Sequence, residues 1–192
     1  MNYCSRCGSI HIVHRIPDGD HRPRHVCEHC GEIFYENPRI VAGTLPEWQD
    51  QILLCRRAIE PRLGFWTLPA GFMENGETTV EAALRETWEE AHARVEPLGL
   101  YSLVNLPQGN QVFMIFRGRL LDLDFGPGAE TLETRLFREE EIPWEELAFA
   151  TVQHTLRFYL ADRRAGAYGL HVGDIVRGPD GPAYHHRRPP PA

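Results

Sequence analysis

Residues 71–92 read GFMENGETTVEAALRETWEEAH and predict a helix that follows a Gly-containing loop. Thr78 can cap the helix, and Glu81 three residues later completes a capping box. The helix is expected to run to about Ala91, because Pro97 prevents a long continuation. This stretch therefore predicts one capped helix in the main part of the chain.

Three carboxylates of this helix fall on one face. On a helix that turns about 100° per residue, Glu86, Glu89 and Glu90 lie within one arc, with Ala82 and Ala83 leaving room beside them. The opposite apolar stripe is expected to anchor the helix and consists of Val80, Leu84, Trp88 and Ala91. An acidic face is most often solvated. However, adjacent carboxylates repel unless protonated or neutralised, and Mg²⁺ or Mn²⁺ prefers such oxygens. Helix geometry alone leaves both readings open.

The segments around the helix predict an α/β domain. Strand patterns are expected at residues 39–45, 51–57, 64–72, 95–105, 111–121 and 131–137, and a terminal helix at 151–164. Strands on both sides of a helix imply a mixed sheet covered by helices. Past residue 164 the chain becomes Gly-rich and ends in HHRRPPPA, which predicts a flexible tail.

Four of the five cysteines form two matching knuckles, CSRCG at 4–8 and CEHCG at 27–31. This is the spacing of a structural four-thiolate Zn²⁺ site, whose predicted ligands are Cys4, Cys7, Cys27 and Cys30. Two disulfides would need an oxidising compartment, and a redox dithiol would need one C-x-x-C in a βαβ context. Nearby histidines are alternative ligands, namely His11, His14, His21, His25 and His29. The fifth cysteine, Cys55, lies in an apolar run and is predicted to be a core residue.

The composition narrows the classes of partner that the protein is expected to bind. The formal charge of −7 over 192 residues argues against a general nucleic-acid binder. The chain has no lysine, so a charged phosphate contact must come from arginine or histidine. No apolar run reaches the roughly 18–20 residues that span a membrane, and no secretory signal is present. The cytoplasm is the expected location.

The spacing within residues 71–91 resembles the Nudix box. It places Gly71 six positions before Glu77, and Arg85-Glu86 and Glu89-Glu90 follow in the helix. The chain is therefore identified by its sequence as a member of the Nudix hydrolases. The resemblance implies a Nudix α/β/α sandwich with a mixed sheet over residues 37–165, preceded by a zinc ribbon over 1–36 and followed by the tail over 166–192.

Two positions depart from the usual box. Thr87 stands where an aliphatic residue is common, and His92 replaces the usual Gly after the final glutamates. The helix is therefore expected either to end through a left-handed His92 or to continue past it.

Nudix hydrolases cleave nucleoside diphosphates linked to another group, using Mg²⁺ or Mn²⁺ and water. The resemblance implies these metal ligands: Glu86, Glu89, Glu90 and the backbone carbonyl of Gly71. Arg85 and Glu77 would orient the carboxylates. A glutamate on a loop after the box serves as general base in some members, and here Glu133 is favoured over Glu130.

Substrate contacts are predicted less directly. Arg56 and Arg57 end a strand that leads toward the box and are candidates for phosphate contact, with surface ion pairing as the alternative. Trp66 could stack on a base, as could Phe65, Tyr101 and Phe113, although such aromatics are more often core.

The chain looks most like the zinc-ribbon Nudix group that acts on ADP-ribose and FAD and releases AMP. It lacks the SQPWPFP motif of NADH pyrophosphatases. NADH, sugar nucleotides and nucleoside triphosphates are alternative substrates. An alternative of another class is a nucleic-acid or protein binding module with an inactive Nudix domain. The resemblance also implies a homodimer.

Overall fold

The computed structural model describes residues 1–178 and 181–186. The chain forms two units, Met1–Asn37 and Pro38–Ala192. In the described part of the chain, no helix is both long enough and apolar enough to cross a membrane.

Two equivalent turns organise the N-terminal unit. The N–H of Gly8 donates to the carbonyl of Cys4, and the N–H of Gly31 donates to that of Cys27, both at 2.8 Å. Both glycines have a φ of 73°, a left-handed conformation that favours glycine. An antiparallel sheet of order β1-β2-β3 joins the turns and consists of β1 (Ile12–Arg15), β2 (Arg24–Cys27) and β3 (Ile33–Phe34).

The second unit is built on one mixed sheet. Its elements are β4 (Arg39–Trp48), β5 (Gln51–Arg57), β6 (Trp66–Thr67), β7 (Ala70–Phe72), α1 (Thr79–Ala91), β8 (Val95–Leu106), β9 (Gln111–Leu120), β10 (Thr131–Phe137), α2 (Ala150–Ala165), β11 (His171–Gly178) and β12 (Gly181–His186). The main path is β10-β5-β4-β9-β8-β11-β12, with β6 paired to β5 and β7 to β4. β4 and β9 run parallel, as do β8 and β11, whereas the other pairs are antiparallel. The predicted mixed sheet is confirmed.

Helices cover both faces of this sheet. Along β5, Ile52 and Leu54 are buried in one cluster with Leu156 of α2. The intervening Leu53 and Cys55 are buried in a second cluster with Ala91 of α1. Because successive side chains of a strand point to opposite faces, β5 contributes to both clusters. The predicted α/β/α sandwich and the core position of Cys55 are confirmed.

Helix α1 begins and ends close to the predicted positions. The Thr78 hydroxyl accepts from the N–H of Glu81, whose carboxylate accepts from the N–H of Thr78, so the capping box forms. The helix ends at Ala91 because His92 adopts a left-handed conformation with a φ of 46°. Of the two exits that the sequence left open, the structure shows the left-handed one.

The buried face of α1 differs from the predicted one. Trp88, expected in the anchoring stripe, is 51% exposed. The buried positions of the helix are Ala82, Ala83, Thr87, Glu90 and Ala91. Small side chains let a helix lie close to a sheet, whereas a Trp at the contact would hold it away. The helix therefore turns its small residues, and one carboxylate with them, toward the sheet.

The expectation of a flexible tail over 166–192 does not describe residues 171–178 and 181–186. β11 pairs in parallel with β8, and β12 pairs with β11. The His171 ring stacks on Phe158 of α2 with centroids 4.4 Å apart. Strand pairing and aromatic contacts therefore supply the order that the Gly-rich composition did not suggest. Residues 187–192, which hold most of the Arg/Pro-rich end, lie outside the described part.

Candidate functional site

Four thiols converge in the N-terminal unit. The Sγ atoms of Cys4 and Cys30 are 3.7 Å apart, and those of Cys7 and Cys27 are 3.6 Å apart. All four lie within 4.8 Å of one another, and no histidine belongs to this group among the described residues. A disulfide would hold two sulfurs at about 2 Å. Tetrahedral ligands about 2.3 Å from a zinc ion lie about 3.8 Å apart, so the thiols fit Zn²⁺.

In the second unit, a carboxylate of α1 is buried against strand β7. Glu90 is 7% exposed, and its Oε2 accepts a 3.1 Å hydrogen bond from the N–H of Ala70. Burial raises the pKa of Glu90 to about 8, and the charges of Glu86 and Glu130 add to the rise. A carboxyl group in such a place holds its proton near neutral pH unless a cation compensates its charge.

Glu86 lies directly against Gly71. A Cβ atom at position 71 would overlap the carboxylate of Glu86, so a side chain here would displace that group. Burial raises the pKa of Glu86 as well. The glycine of the box is therefore explained by close approach, since its φ does not lie in the left-handed region.

Arg85 holds the acidic residues of the box together. Its Nη2 lies 2.7 Å from Oε1 of Glu77, and its Nη1 lies 2.8 Å from Glu86 and 3.0 Å from Glu89. Nη2 also donates to the carbonyl of Phe72. Hydrogen bonding to Arg85 lowers the pKa of Glu77 to about 2. Glu77 is therefore ionised, and the three contacts orient carboxylates from the loop and the helix.

The loop after β9 leads to Glu130, whose charge acts on Glu86 and Glu90. The N–H of Gly126 donates to the carbonyl of Ala91 at 2.9 Å, and that of Gly128 donates to the carbonyl of Glu90 at 3.0 Å. The loop thus rests on the C-terminal end of α1. Glu130 follows it and contributes, after burial, to the raised pKa of both Glu86 and Glu90.

Glu133 pairs with an arginine of the adjacent strand. It is opposite Arg56 in the β10–β5 ladder, and its Oε2 is 3.9 Å from Nη1 of Arg56. Both side chains are about half exposed, at 48% and 43%. The charge of Glu130 therefore acts on the box carboxylates, whereas the described contact of Glu133, the favoured base, is with Arg56. Arg56 has the ion pair that was its alternative reading.

Of the other predicted substrate contacts, Arg57 lies near the acidic group and Trp66 does not offer a free face. Burial dominates the raised pKa of Glu90, and the charge of Arg57 acts in the opposite direction. The Arg57 guanidinium also lies 5.3 Å from the Phe149 ring centroid. Trp66 is 6% exposed and packs edge-on against Phe137 in the core. The structure does not support a stacking role for Trp66.

Arg39 and Phe72 form a pair beside Gly71 that the sequence did not indicate. Phe72 is 47% exposed, and the guanidinium of Arg39 lies 4.7 Å from the centroid of its ring. Pairing of β4 with β7, which sets Val41 opposite Phe72, brings these residues together across 33 positions of sequence. No local pattern connects them.

The carboxylate group suits a hard divalent cation. Glu86 lies against the backbone of Gly71, and Glu90 is buried where its charge needs compensation. Glu89 shares Arg85 with Glu86. Such oxygen donors fit Mg²⁺ or Mn²⁺ rather than a thiophilic metal.

Comparisons with known proteins agree with this arrangement. Residues 37–158 match the NUDIX domain family, and residues 2–36 match the family described as Nudix N-terminal. A crystal structure of a NUDIX hydrolase from Nitrosomonas europaea has a TM-score of 0.88 and 52% identity, and covers 91% of this chain and 99% of that one.

Two curated relatives carry more specific names. NAD-capped RNA hydrolase NudC from Photorhabdus laumondii is 32% identical over 126 residues, 65% of this chain and 45% of that protein. ADP-ribose pyrophosphatase from Methanocaldococcus jannaschii is 32% identical over 120 residues, 60% of this chain and 70% of that protein. The chain spans about half the length of the NudC proteins that it matches. Because the NUDIX model matches more than half of its residues, the chain belongs to the Nudix hydrolase family.

Proposed function

We propose that this protein is a divalent-metal-dependent pyrophosphatase that hydrolyses the diphosphate linkage of ADP-ribose, FAD or both and releases AMP. The observation that carries the proposal is the buried Glu90, 7% exposed, beside Glu86 and Glu130. Binding of a cation would explain why an acidic group of this kind is buried. Similarity to a protein named ADP-ribose pyrophosphatase supports the substrate class.

The proposed ligands of Mg²⁺ or Mn²⁺ are Glu86, Glu89, Glu90 and the backbone carbonyl of Gly71. When bound, the metal would neutralise charge on the diphosphate and lower the pKa of a water molecule. Arg85 orients three of the acidic residues through the contacts described above. Its guanidinium would keep the ligand oxygens in place as substrate enters.

Glu130 is the proposed general base. It would accept a proton from the attacking water as a new P–O bond forms and the bridging P–O bond breaks. From ADP-ribose the products are AMP and ribose 5-phosphate, and from FAD they are AMP and FMN. Arg57, close enough to influence Glu90, would contact a phosphate oxygen of the substrate.

Nicotinamide dinucleotides form a second candidate class. A NudC protein from Pseudomonas aeruginosa aligns over 170 residues, 86% of this chain, at 27% identity, so the likeness extends beyond the box. The absence of SQPWPFP from this sequence favours ADP-ribose and FAD. A homodimer in the cytoplasm is proposed from the family resemblance.

Product analysis would test the proposal. The purified protein would be incubated with Mg²⁺ or Mn²⁺ and with ADP-ribose, FAD, NADH, a sugar nucleotide, an NAD-capped RNA or a nucleoside triphosphate. We expect AMP from ADP-ribose or FAD.

Glu89→Gln should abolish turnover. The variant should still fold, because Glu89 is 54% exposed. A folded Glu89→Gln variant with full activity would contradict the metal assignment. Salt-sensitive binding of RNA without hydrolysis of any compound would favour the binding-module alternative.

A further inference from the structure

We infer that Thr44 and Thr87 are positioning residues, which hold helix α1 in register with strand β7 so that Glu86 and Glu90 of the proposed metal site keep their contacts with it. This inference rests on the proposed function. Thr44 lies on β4 and Thr87 on α1, and both are 0% exposed. Thr87 is one of the two positions at which this chain departs from the usual box. The Thr44–Thr87 pair is therefore a feature of this chain and not of the box in general.

The two hydroxyl groups form one directed chain of hydrogen bonds. The Oγ1 atoms of Thr44 and Thr87 are 2.6 Å apart. The Thr87 hydroxyl donates to the carbonyl of Ala83 at 2.7 Å. Since a hydroxyl has one proton, Thr87 must accept its second bond from Thr44. The direction of both bonds is thereby set, and neither buried hydroxyl lacks a partner.

Thr44 also contacts the residue that precedes β7, the strand that contains the other half of the site. Its backbone N–H donates to the carbonyl of Pro69 at 3.1 Å. At the preceding position, Gly43 pairs with Ala70, and a Cβ there would overlap Ala70 and the Pro69 carbonyl. Strand β4 therefore approaches Pro69 and the start of β7 as closely as backbone atoms allow. One residue, Thr44, joins this segment to the helix.

The contacts of the site depend on this register. Thr87 stands between Glu86, which lies against Gly71, and Glu90, which accepts from Ala70. A rotation or a slide of α1 would move both carboxylates away from β7 together. A valine at position 87 could fill nearly the same volume, but apolar packing is not directional, whereas a short hydrogen bond is. The hydroxyl pair thus specifies helix position in a way that an aliphatic residue would not.

A matched pair of hydroxyls lies on the other face of the sheet. Ser102 of β8 and Thr155 of α2 are also 0% exposed, and their side-chain oxygens are 3.0 Å apart. This pair joins a helix to the sheet with the same chemistry but contacts none of the box residues described above. Thr155→Val is therefore a control for the general cost of losing a buried hydroxyl pair.

The experiment compares Thr44→Val, Thr87→Val, Thr87→Ser and Thr155→Val with the wild type. The readouts are the Mn²⁺ dissociation constant by calorimetry, the exchange rate of the Ala70 amide by NMR without added Mn²⁺, and the urea midpoint. We expect the two valine variants of the pair to weaken Mn²⁺ binding about 10-fold and to speed exchange of the Ala70 amide. Thr87→Ser, which keeps the hydroxyl, should stay within about twofold. Thr155→Val should lower the urea midpoint and leave Mn²⁺ affinity unchanged.

The outcomes separate this inference from the proposed function. If Thr44→Val and Thr87→Val lower the urea midpoint but keep wild-type Mn²⁺ affinity and Ala70 exchange, as Thr155→Val should, the positioning role is wrong. If the wild type itself binds no Mn²⁺ and hydrolyses no nucleotide, the proposed function fails. In that case the Ala70 exchange rates still show whether the pair sets the position of the helix.

Discussion

Glu90 is only 7% exposed, and its carboxylate accepts a 3.1 Å hydrogen bond from the N–H of Ala70. The bond joins α1 to strand β7. Burial nevertheless raises the pKa of this carboxyl group to about 8, so one amide donor does not compensate for the loss of solvent. The site is thus organised around a group that is costly to ionise without a cation.

Glu90→Gln should stabilise the metal-free protein at high pH. The folded pKa of about 8 lies above the ordinary value of 4.5, so the folded state binds more protons than the unfolded state between these values. The contribution of Glu90 to stability is fully present below pH 4.5 and is lost as the pH rises through about 8. At pH 9 we expect the variant to be more stable by about 2–4 kcal/mol, with little difference at pH 4.

Urea unfolding at both pH values without added divalent metal would measure this difference. The same variant should lose Mn²⁺ binding. Equal stability of the variant and the wild type at pH 9 would show that Glu90 ionises freely in the folded protein, contrary to this argument.

Gly71→Ala should impair the site and leave the fold in place. The added methyl group would overlap the Glu86 carboxylate and displace it. Metal affinity and turnover are expected to fall about 100-fold. Gly126→Ala is the control, because a Cβ there meets no atom within 4 Å. Calorimetry with Mn²⁺ and circular dichroism would distinguish the two variants, and equal affinity in both would refute the role assigned to close approach.

Glu130→Gln and Glu133→Gln should show which of these two glutamates is the general base. Glu130 influences Glu86 and Glu90, whereas Glu133 pairs with Arg56. We expect kcat to fall about 10²–10⁴-fold for Glu130→Gln and to change little for Glu133→Gln. Steady-state assays on the substrate identified by the product panel would measure this. A large loss in Glu133→Gln alone would restore the assignment that the sequence favoured.

The purified chain should contain one zinc ion. The four sulfur atoms lie within 4.8 Å of one another, a separation suited to tetrahedral thiolate ligands. Elemental analysis is expected to give one Zn²⁺ per chain, and Cys4→Ser with Cys27→Ser should remove it. Cys55→Ala should retain the zinc, because Cys55 is buried in the core of the second unit. Zinc retained by the double serine variant would contradict the four-cysteine assignment.

The sequence by itself determined the features that depend on local spacing. The capping box of Thr78 and Glu81, the helix from Thr79 to Ala91 and the cysteine knuckles follow from residues a few positions apart. Local hydrogen bonds and turn geometry decide such features, so a short window of sequence contains their cause. The strand patterns likewise predicted the mixed sheet, because alternation and length are local properties.

The tertiary structure alone decided which groups meet. The apolar stripe predicted Trp88 inward, but close packing of small residues on the sheet turned Glu90 inward instead. Two backbone hydrogen bonds hold the loop that leads to Glu130 against the end of α1, and the charge of Glu130 acts on Glu90. The order of residues 171–178 depends on the edge of β8, 69 positions earlier in the chain. These outcomes result from contacts between distant segments, whose geometry no local pattern encodes.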